Sequence, residues 1–299
     1  MVDLHTSERL SVRNILCLTD FSPSSDSALQ CAKSLGRAHN GKIHVLHVLC
    51  PDIFTSLTPD SPAAALDLQE QWAFKEMERV EKQLAGSRHE TLVVRANDLW
   101  TGVEPQLQEC QIDVIVVATH GQSGLAKLVM GSGAEQVLRR SPVPVIVVGP
   151  ALRQGSEQRH FSRIVFPSDL TPQSLSAAPI AVSLAQENEA QLILLHVIPR
   201  DRLFKRAQRN TLSVAEAMHR LQEMVPAERE LGRRPETIIE YGEPAARIVE
   251  TAKDKAADLI VLGVRTGSAL FTATHFENTA HEVIAGSHCP VLTVRTNCA

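Results

Sequence analysis

The chain carries the same sequence pattern twice. Residues 14–48 read NILCLTDFSPSSDSALQCAKSLGRAHNGKIHVLHV, and residues 163–197 read RIVFPSDLTPQSLSAAPIAVSLAQENEAQLILLHV. The interval of 149 places Asp20 over Asp169, Pro23 over Pro172 and His47 over His196. The closing segments repeat as well: DVIVVATHG from Asp113 and PVPVIVV from Pro142 return as DLIVLGVRTG from Asp258 and HCPVLTV from His288, and by Asp258 the interval has fallen to 145. A period this long marks duplicated domains, not the short stacked units of a solenoid. The expected organisation is a first domain at 1–149, a linker at 150–160 and a second domain at 161–299. The polar run GPALRQGSEQRH, Gly149 to His160, carries the Gly and Pro of a connection.

Length agrees, since 299 residues suit two domains that can each bury a core. With one Tyr and two Trp, those cores must be built from Val, Ile, Leu and Ala. The N-terminus MVDLHTSERL lacks the apolar core of a signal peptide, and no apolar run reaches membrane-spanning length, so a cytoplasmic protein without a membrane partner is expected. A net charge of −4 supplies no field for attracting nucleic acid. The six cysteines form no CxxC pair and read as buried free thiols. The histidines make no HExxH, and no zinc site is expected.

Short runs rich in Val, Ile and Leu at 15–18, 43–49, 90–95, 114–118 and 143–148 predict parallel strands covered on both faces. Helices fit between them at 23–38, 63–85, 99–111 and 132–140. In the first, Ala28, Leu29, Ala32 and Leu35 share one face, Ser22 can cap and Pro23 suits the opening turn. The second half repeats the strands at 164–167, 191–198, 236–241, 259–262 and 291–294, with Pro179 expected to kink its first helix. The fold class is α/β: two tandem open, doubly wound, parallel five-stranded sheets of Rossmann-like type. Ligands of such sheets sit beyond the carboxyl ends of the strands. The stretches 51–62 and 200–212 are candidate loops over the site, the latter basic through Arg200, Arg202, Lys205, Arg206 and Arg209 and readable as a solvated surface or an acidic-partner contact.

After the fourth strand come Ala118, Thr119, His120 and Gly121, then nine residues, then Gly131, Ser132 and Gly133 opening a helix. Glycines beside backbone turns let amides approach a phosphate, and the helix start adds donors and partial positive charge. The same residues also read as a tight turn, because Ser132 and Glu135 have capping-box spacing. His120 reads as a phosphate contact or as an exposed loop histidine. His47 and His196 read as packed, hydrogen-bonded residues or as ligand contacts.

GxxG, nine residues and G(S/T), together with the opening TDFSPxSxxAL, resemble the universal stress protein family over nearly the whole chain. The resemblance implies a fold like that of the adenine nucleotide alpha hydrolases and, as in the family's nucleotide-binding members, ATP held by the loop. It implies that Asp20 and Val48 border adenine and ribose, and that Gly121, Gly131, Ser132 and Gly133 surround the phosphates. Ala118 replaces the motif's first glycine, so a methyl group intrudes there, and a need for positive φ would weaken binding. Magnesium or manganese would accompany the ATP. Family members commonly dimerise through the last strand, so pairing of the two domains within the chain through PVPVIVV and CPVLTV is implied; a homodimer is left open.

The second copy has Gly263, Val264, Arg265, Thr266 and Gly267, then nine residues, then Glu277, Asn278 and Thr279. A carboxylate at a helix start satisfies the dipole and repels phosphate, so this copy is expected to have lost the site while Asn278 caps the helix. Three functions follow: a stress-response regulator binding ATP in its first domain, a nucleotide-independent scaffold, or a slow ATPase. No base stands beside a nucleophile and no GxxxxGK(S/T) occurs, so no catalytic residue is named and weak hydrolysis is the most turnover expected.

Overall fold

A computed structural model describes residues 10, 12–50, 62–119, 130–149, 161–199, 213–225, 231–265 and 275–296. Most of the described residues between Val12 and Pro150 form one compact unit, and those from His160 onward another.

In the first unit the strands are β1 (Asn14–Leu18), β2 (Lys42–Leu49), β3 (His89–Arg95), β4 (Val114–Ala118) and β5 (Val145–Val148), in the order β3-β2-β1-β4-β5. All neighbours are parallel. Ile15, Leu16, Cys17, Val114, Ile115 and Val116 are solvent-free because crossover helices cover both faces. The helices are α1 (Pro23–His39), α2 (Pro62–Gln83), α3 (Leu99–Glu109) and α4 (Ser132–Arg140). The predicted start of β5 at Val143 falls two residues early, because Ser141 turns the chain there by accepting from the Val143 amide and donating to its carbonyl.

The second unit repeats this with β6 (Arg163–Pro167), β7 (Gln191–Ile198), β8 (Glu236–Tyr241), β9 (Leu259–Arg265) and β10 (Val291–Thr296), in the order β8-β7-β6-β9-β10, again all parallel. Its helices are α5 (Pro172–Leu175), α6 (Ala178–Glu187), α7 (Val214–Glu223), α8 (Pro244–Asp254) and α9 (His275–Gly286). The expected kink at Pro179 is a full break: α5 stops after one turn, and Pro179 falls in the opening turn of α6, where a missing amide costs nothing.

The turns that set both sheets are copied with their backbone angles. Phe21 (φ 62°), Asn40 (φ 51°) and Gln111 (φ 49°) are matched by Leu170 (φ 63°), Glu189 (φ 50°) and Ala256 (φ 48°). Asp113 accepts from the amides of Arg13 and Asn14, as Asp258 does from Ser162 and Arg163. The described cysteines are free thiols; Cys17, Cys31 and Cys289 are buried, whereas Cys50 is exposed and Cys110 half-buried, contrary to a uniformly buried set. Among the described residues, no helix is long and apolar enough to cross a membrane. The stretches 51–61, 150–160 and 200–212, with the loop and linker expectations placed on them, lie outside the described residues.

Candidate functional site

In the first unit the strand order reverses between β1 and β4, the place at which sheets of this kind open a crevice beyond the carboxyl ends of their strands. Leaving β1, the chain makes a tight, fully bonded turn. Thr19 donates its amide to Leu46 O, and its Oγ1 accepts from the Phe21 amide at 3.0 Å and lies 3.1 Å from Ser25 Oγ. Asp20 Oδ1 accepts from the Ser22 amide at 3.1 Å. Ser22 then caps α1 by accepting from the Ser25 amide at 3.2 Å. The local role weighed for Asp20 from sequence, bonding backbone near Ser22, is therefore present in the structure. The carboxylate is half-buried at the strand end.

His47 and Val48 lie near the end of β2 and face opposite sides of the sheet. The His47 ring meets Phe21 at 4.4 Å between centroids, and Nδ1 donates to Thr19 O at 2.8 Å, since a carbonyl can only accept. Burial pushes the His47 pKa below its ordinary value, opposed by the Thr19 bond and the Asp20 charge. A neutral, tautomer-fixed ring with a packing role results. His196 repeats the bond, to Ser168 O at 2.8 Å. Val48 turns toward α3, where Gly102 is so close that an added Cβ would lie 2.7 Å from Val48 Cγ1.

Ala118 is the last residue of β4, buried and paired with Val148. It is absent from the positive-φ positions, so its methyl carries no backbone strain. Thr119 follows, donating its amide to Val148 O and accepting the Gly131 amide at 2.6 Å. His120 and Gly121 lie outside the described residues.

Gly131, not Ser132, is the N-cap of α4, with φ −63° and ψ 147° and no side-chain cap bond. This corrects the capping-box expectation: Ser132 is the first helical residue, exposed, and Glu135 pairs instead with Arg139 at 3.0 Å. Because the Gly131 amide is used by Thr119, the donors left at this helix start are the amides of Ser132, Gly133 and Ala134, which have no partner within an α-helix. Asp98 caps α3 and is tied to α4 through Gln136, whose Oε1 accepts from the Trp100 amide at 3.2 Å. Hydrogen bonds from the Thr101 amide and hydroxyl hold the Asp98 carboxyl below its ordinary range. Gly133 fits against Leu99, whose Cδ2 would lie 3.1 Å from an added Cβ.

Reading the sequence missed Thr19, Phe21 and Gln136. Thr19 had a signal, since Ser168 occupies its repeat position and makes the same bonds, 2.8 Å from Ser174 Oγ and accepting from the Leu170 amide at 3.0 Å. Gln136 had none.

In the second unit, Asp169 Oδ1 accepts from both the amide (3.0 Å) and the hydroxyl (2.6 Å) of Thr171. Helix α9 begins at His275, so Phe276 and Glu277 are helical where Met130 and Gly131 are not. Asn278 therefore lies inside the helix and is not its cap, contrary to expectation. The side chains of Arg265, Glu277 and Asn278 lie outside the described residues.

A universal stress protein of Mycolicibacterium smegmatis is 28% identical over 296 residues, covering 94% of this chain and 96% of that protein. Universal stress protein MJ0531 of Methanocaldococcus jannaschii is 30% identical over 157 residues, covering 50% of this chain and 89% of its own length. Among solved structures, a universal stress protein from Archaeoglobus fulgidus superposes with a TM-score of 0.70 at 22% identity, covering 95% of this chain and 98% of that one, a likeness of fold. The pattern of the universal stress protein family is met twice, by residues 11–149 and again by 160–295, and the chain belongs to that family as a tandem two-domain member.

Proposed function

We propose that this stress protein is a regulatory module that binds ATP in its first domain. The observation that carries the reading is the start of α4: a helix N-terminus beyond the carboxyl end of β4, capped by glycine and by no side chain. Its first-turn amides and dipole suit the oxygens of a phosphate chain. Family membership supports the nucleotide, and the resemblance assigns Asp20 and Val48 to the adenosine end. The chain's residues fit the group: Ala118 has ordinary strand geometry, and no side-chain oxygen occupies the cap of α4. His120 and Gly121 complete the proposed phosphate loop. Magnesium or manganese would arrive with the phosphates; among the described residues, no group of three or more His, Cys, Asp or Glu is placed to hold a metal.

The second domain acts as a built-in partner without a nucleotide, standing where other members of the family use another copy. The early start of α9 puts helical turn where the first domain has its open glycine. Both domains work in the cytoplasm on this reading. A competing reading, a nucleotide-independent scaffold, draws on the Gly131 amide bond to Thr119 O, which already satisfies part of the loop.

Denaturing the purified chain, identifying released small molecules and titrating ATP separates these. ATP at about one per chain, lost in Gly131→Glu, supports the site. A carboxylate about 4 Å from phosphate in a partly screened crevice costs about 3 kcal/mol, a loss of roughly 100-fold in affinity. No release and no binding favours the scaffold. Multiple-turnover phosphate production that disappears with Gly131→Glu would make the protein a slow ATPase.

A further inference from the structure

The turn that presents Asp20 contains a bulky residue in a conformation that bulky residues avoid. Phe21 sits at φ 62°, where a side chain crowds its own backbone. Something must hold it. The amide bond to Thr19 Oγ1 fixes the backbone, and the ring is gripped from two sides: tilted 37° against His47 at 4.4 Å, and edge-on (89°) to the indole of Trp72 at 5.3 Å. Such aromatic pairs stabilise beyond the burial of their surfaces and so oppose the strain.

Trp72 is well placed to act as a fixed jaw. Its helix buries Ala73, Met77 and Val80 along one face. Polar links tie α2 to its neighbours: Arg79 Nη1 to Asp26 of α1 at 3.1 Å, Glu81 Oε1 to Thr91 of β3 at 2.7 Å, and Arg95 of β3 to Asp67 at 3.2 Å and to Glu70. Trp72 itself lies at the margin of that buried face and stays 44% exposed, so its indole is not needed to fill the core. In the second domain the same turn carries Leu170 at φ 63°, which has no ring for an aromatic grip.

We propose that Trp72 is a positioning residue: through Phe21 it holds the left-handed turn between Thr19 and Ser22 and thereby fixes the direction of the Asp20 carboxylate, although Trp72 itself does not touch the nucleotide. The consequence for ligand binding rests on the ATP reading above. The consequence for the turn does not.

The test uses the full chain with Trp72→Ala and Trp72→Phe, reading amide hydrogen exchange residue by residue by NMR and ATP affinity by calorimetry. Phe21 and Ser22 amides, which donate to Thr19 Oγ1 and Asp20 Oδ1, are expected to exchange about tenfold faster in Trp72→Ala through local opening. Amides of β1 should keep their protection, and Trp72→Phe should restore both sites. ATP affinity should fall by a comparable factor of about ten in the alanine variant and recover in the phenylalanine variant. Unchanged exchange at Ser22 overturns the proposal, and so does acceleration spread through β1 and α1, which would mean general loosening. Faster exchange with unaltered ATP affinity overturns the link to the ligand. A wild-type chain that binds no ATP removes the nucleotide reading alone, while the exchange measurement still decides the role of Trp72.

Discussion

His44 is the residue whose chemistry fits its surroundings least well. It lies on β2 at 3% exposure, with neither ring nitrogen hydrogen-bonded, and Nδ1 is 3.6 Å from the Glu90 carboxylate that Lys42 already holds at 2.6 Å. Burial and the Lys42 charge lower its pKa, with Glu90 opposing. A depressed pKa means that the folded protein binds fewer protons than the unfolded chain. The stability tied to His44 is therefore complete above the ordinary histidine value and is lost as pH falls through the lowered one. The repeat supplies the control, since Ile193 stands opposite Glu236 as His44 stands opposite Glu90. His44→Ile is expected to gain about 1 kcal/mol at pH 7, from removing an unpaired buried polar ring, and more at pH 5. Urea midpoints at the two pH values check this; equal gains at both would show that folding does not lower the His44 pKa. The buried thiols are the chemically quiet counterpart. Burial raises the Cys31 pKa to about 12 and that of Cys289 to about 11, so neither is a nucleophile at neutral pH.

At the scale of elements, strands and helices were legible wherever one local rule dominated. Apolar runs located every strand core, and Ser22 with Pro23 located the start of α1, because burial on two faces and capping are encoded within a few adjacent residues. The start of α4 at Ser132 was legible too, but its cap was not. Ser132 and Glu135 satisfy a capping pattern, yet Gly131 is the cap, and the bond from its amide to Thr119 O joins residues twelve apart through the geometry of β4. The grip of Trp72 on Phe21 spans 51 positions and left no local trace. Gly102 is a further case, since its role appears only against Val48. Gly102→Ala should gain about 1 kcal/mol in helix propensity, but it places Cβ at 2.7 and 2.8 Å from the two Val48 methyls. Overpacking of this kind costs about 1–3 kcal/mol. The expected net result is a loss of about 1 kcal/mol, with weaker ATP binding as Val48 shifts. Thermal melts with and without ATP measure both, and an unchanged melting point would mean that α3 lifts away freely.

At the scale of the whole molecule, the duplication was the most legible feature, and the divergence of the two crevices the least. Glu277 against Gly131 is plain in the sequence, but the earlier start of α9 is not, because Asn278 is as good a cap as any residue nearby. The two differences predict different outcomes for a single repair. If charge alone closed the second crevice, Glu277→Gly would open it. With Phe276 and Glu277 already helical, that substitution is expected to leave the stoichiometry at about one ATP per chain, read by calorimetry. A second equivalent at comparable affinity would show that the carboxylate was the sole obstacle.

Asp113 and Asp258, each gathering two amides from the start of β1 or β6, lie at the opposite end of the sheets from the crevices. Whatever happens to a ligand loop, the rim that registers the strands stays fastened. A duplicated domain built this way can let one recognition surface drift while its folding instructions remain under separate control, and both halves of this chain keep those instructions.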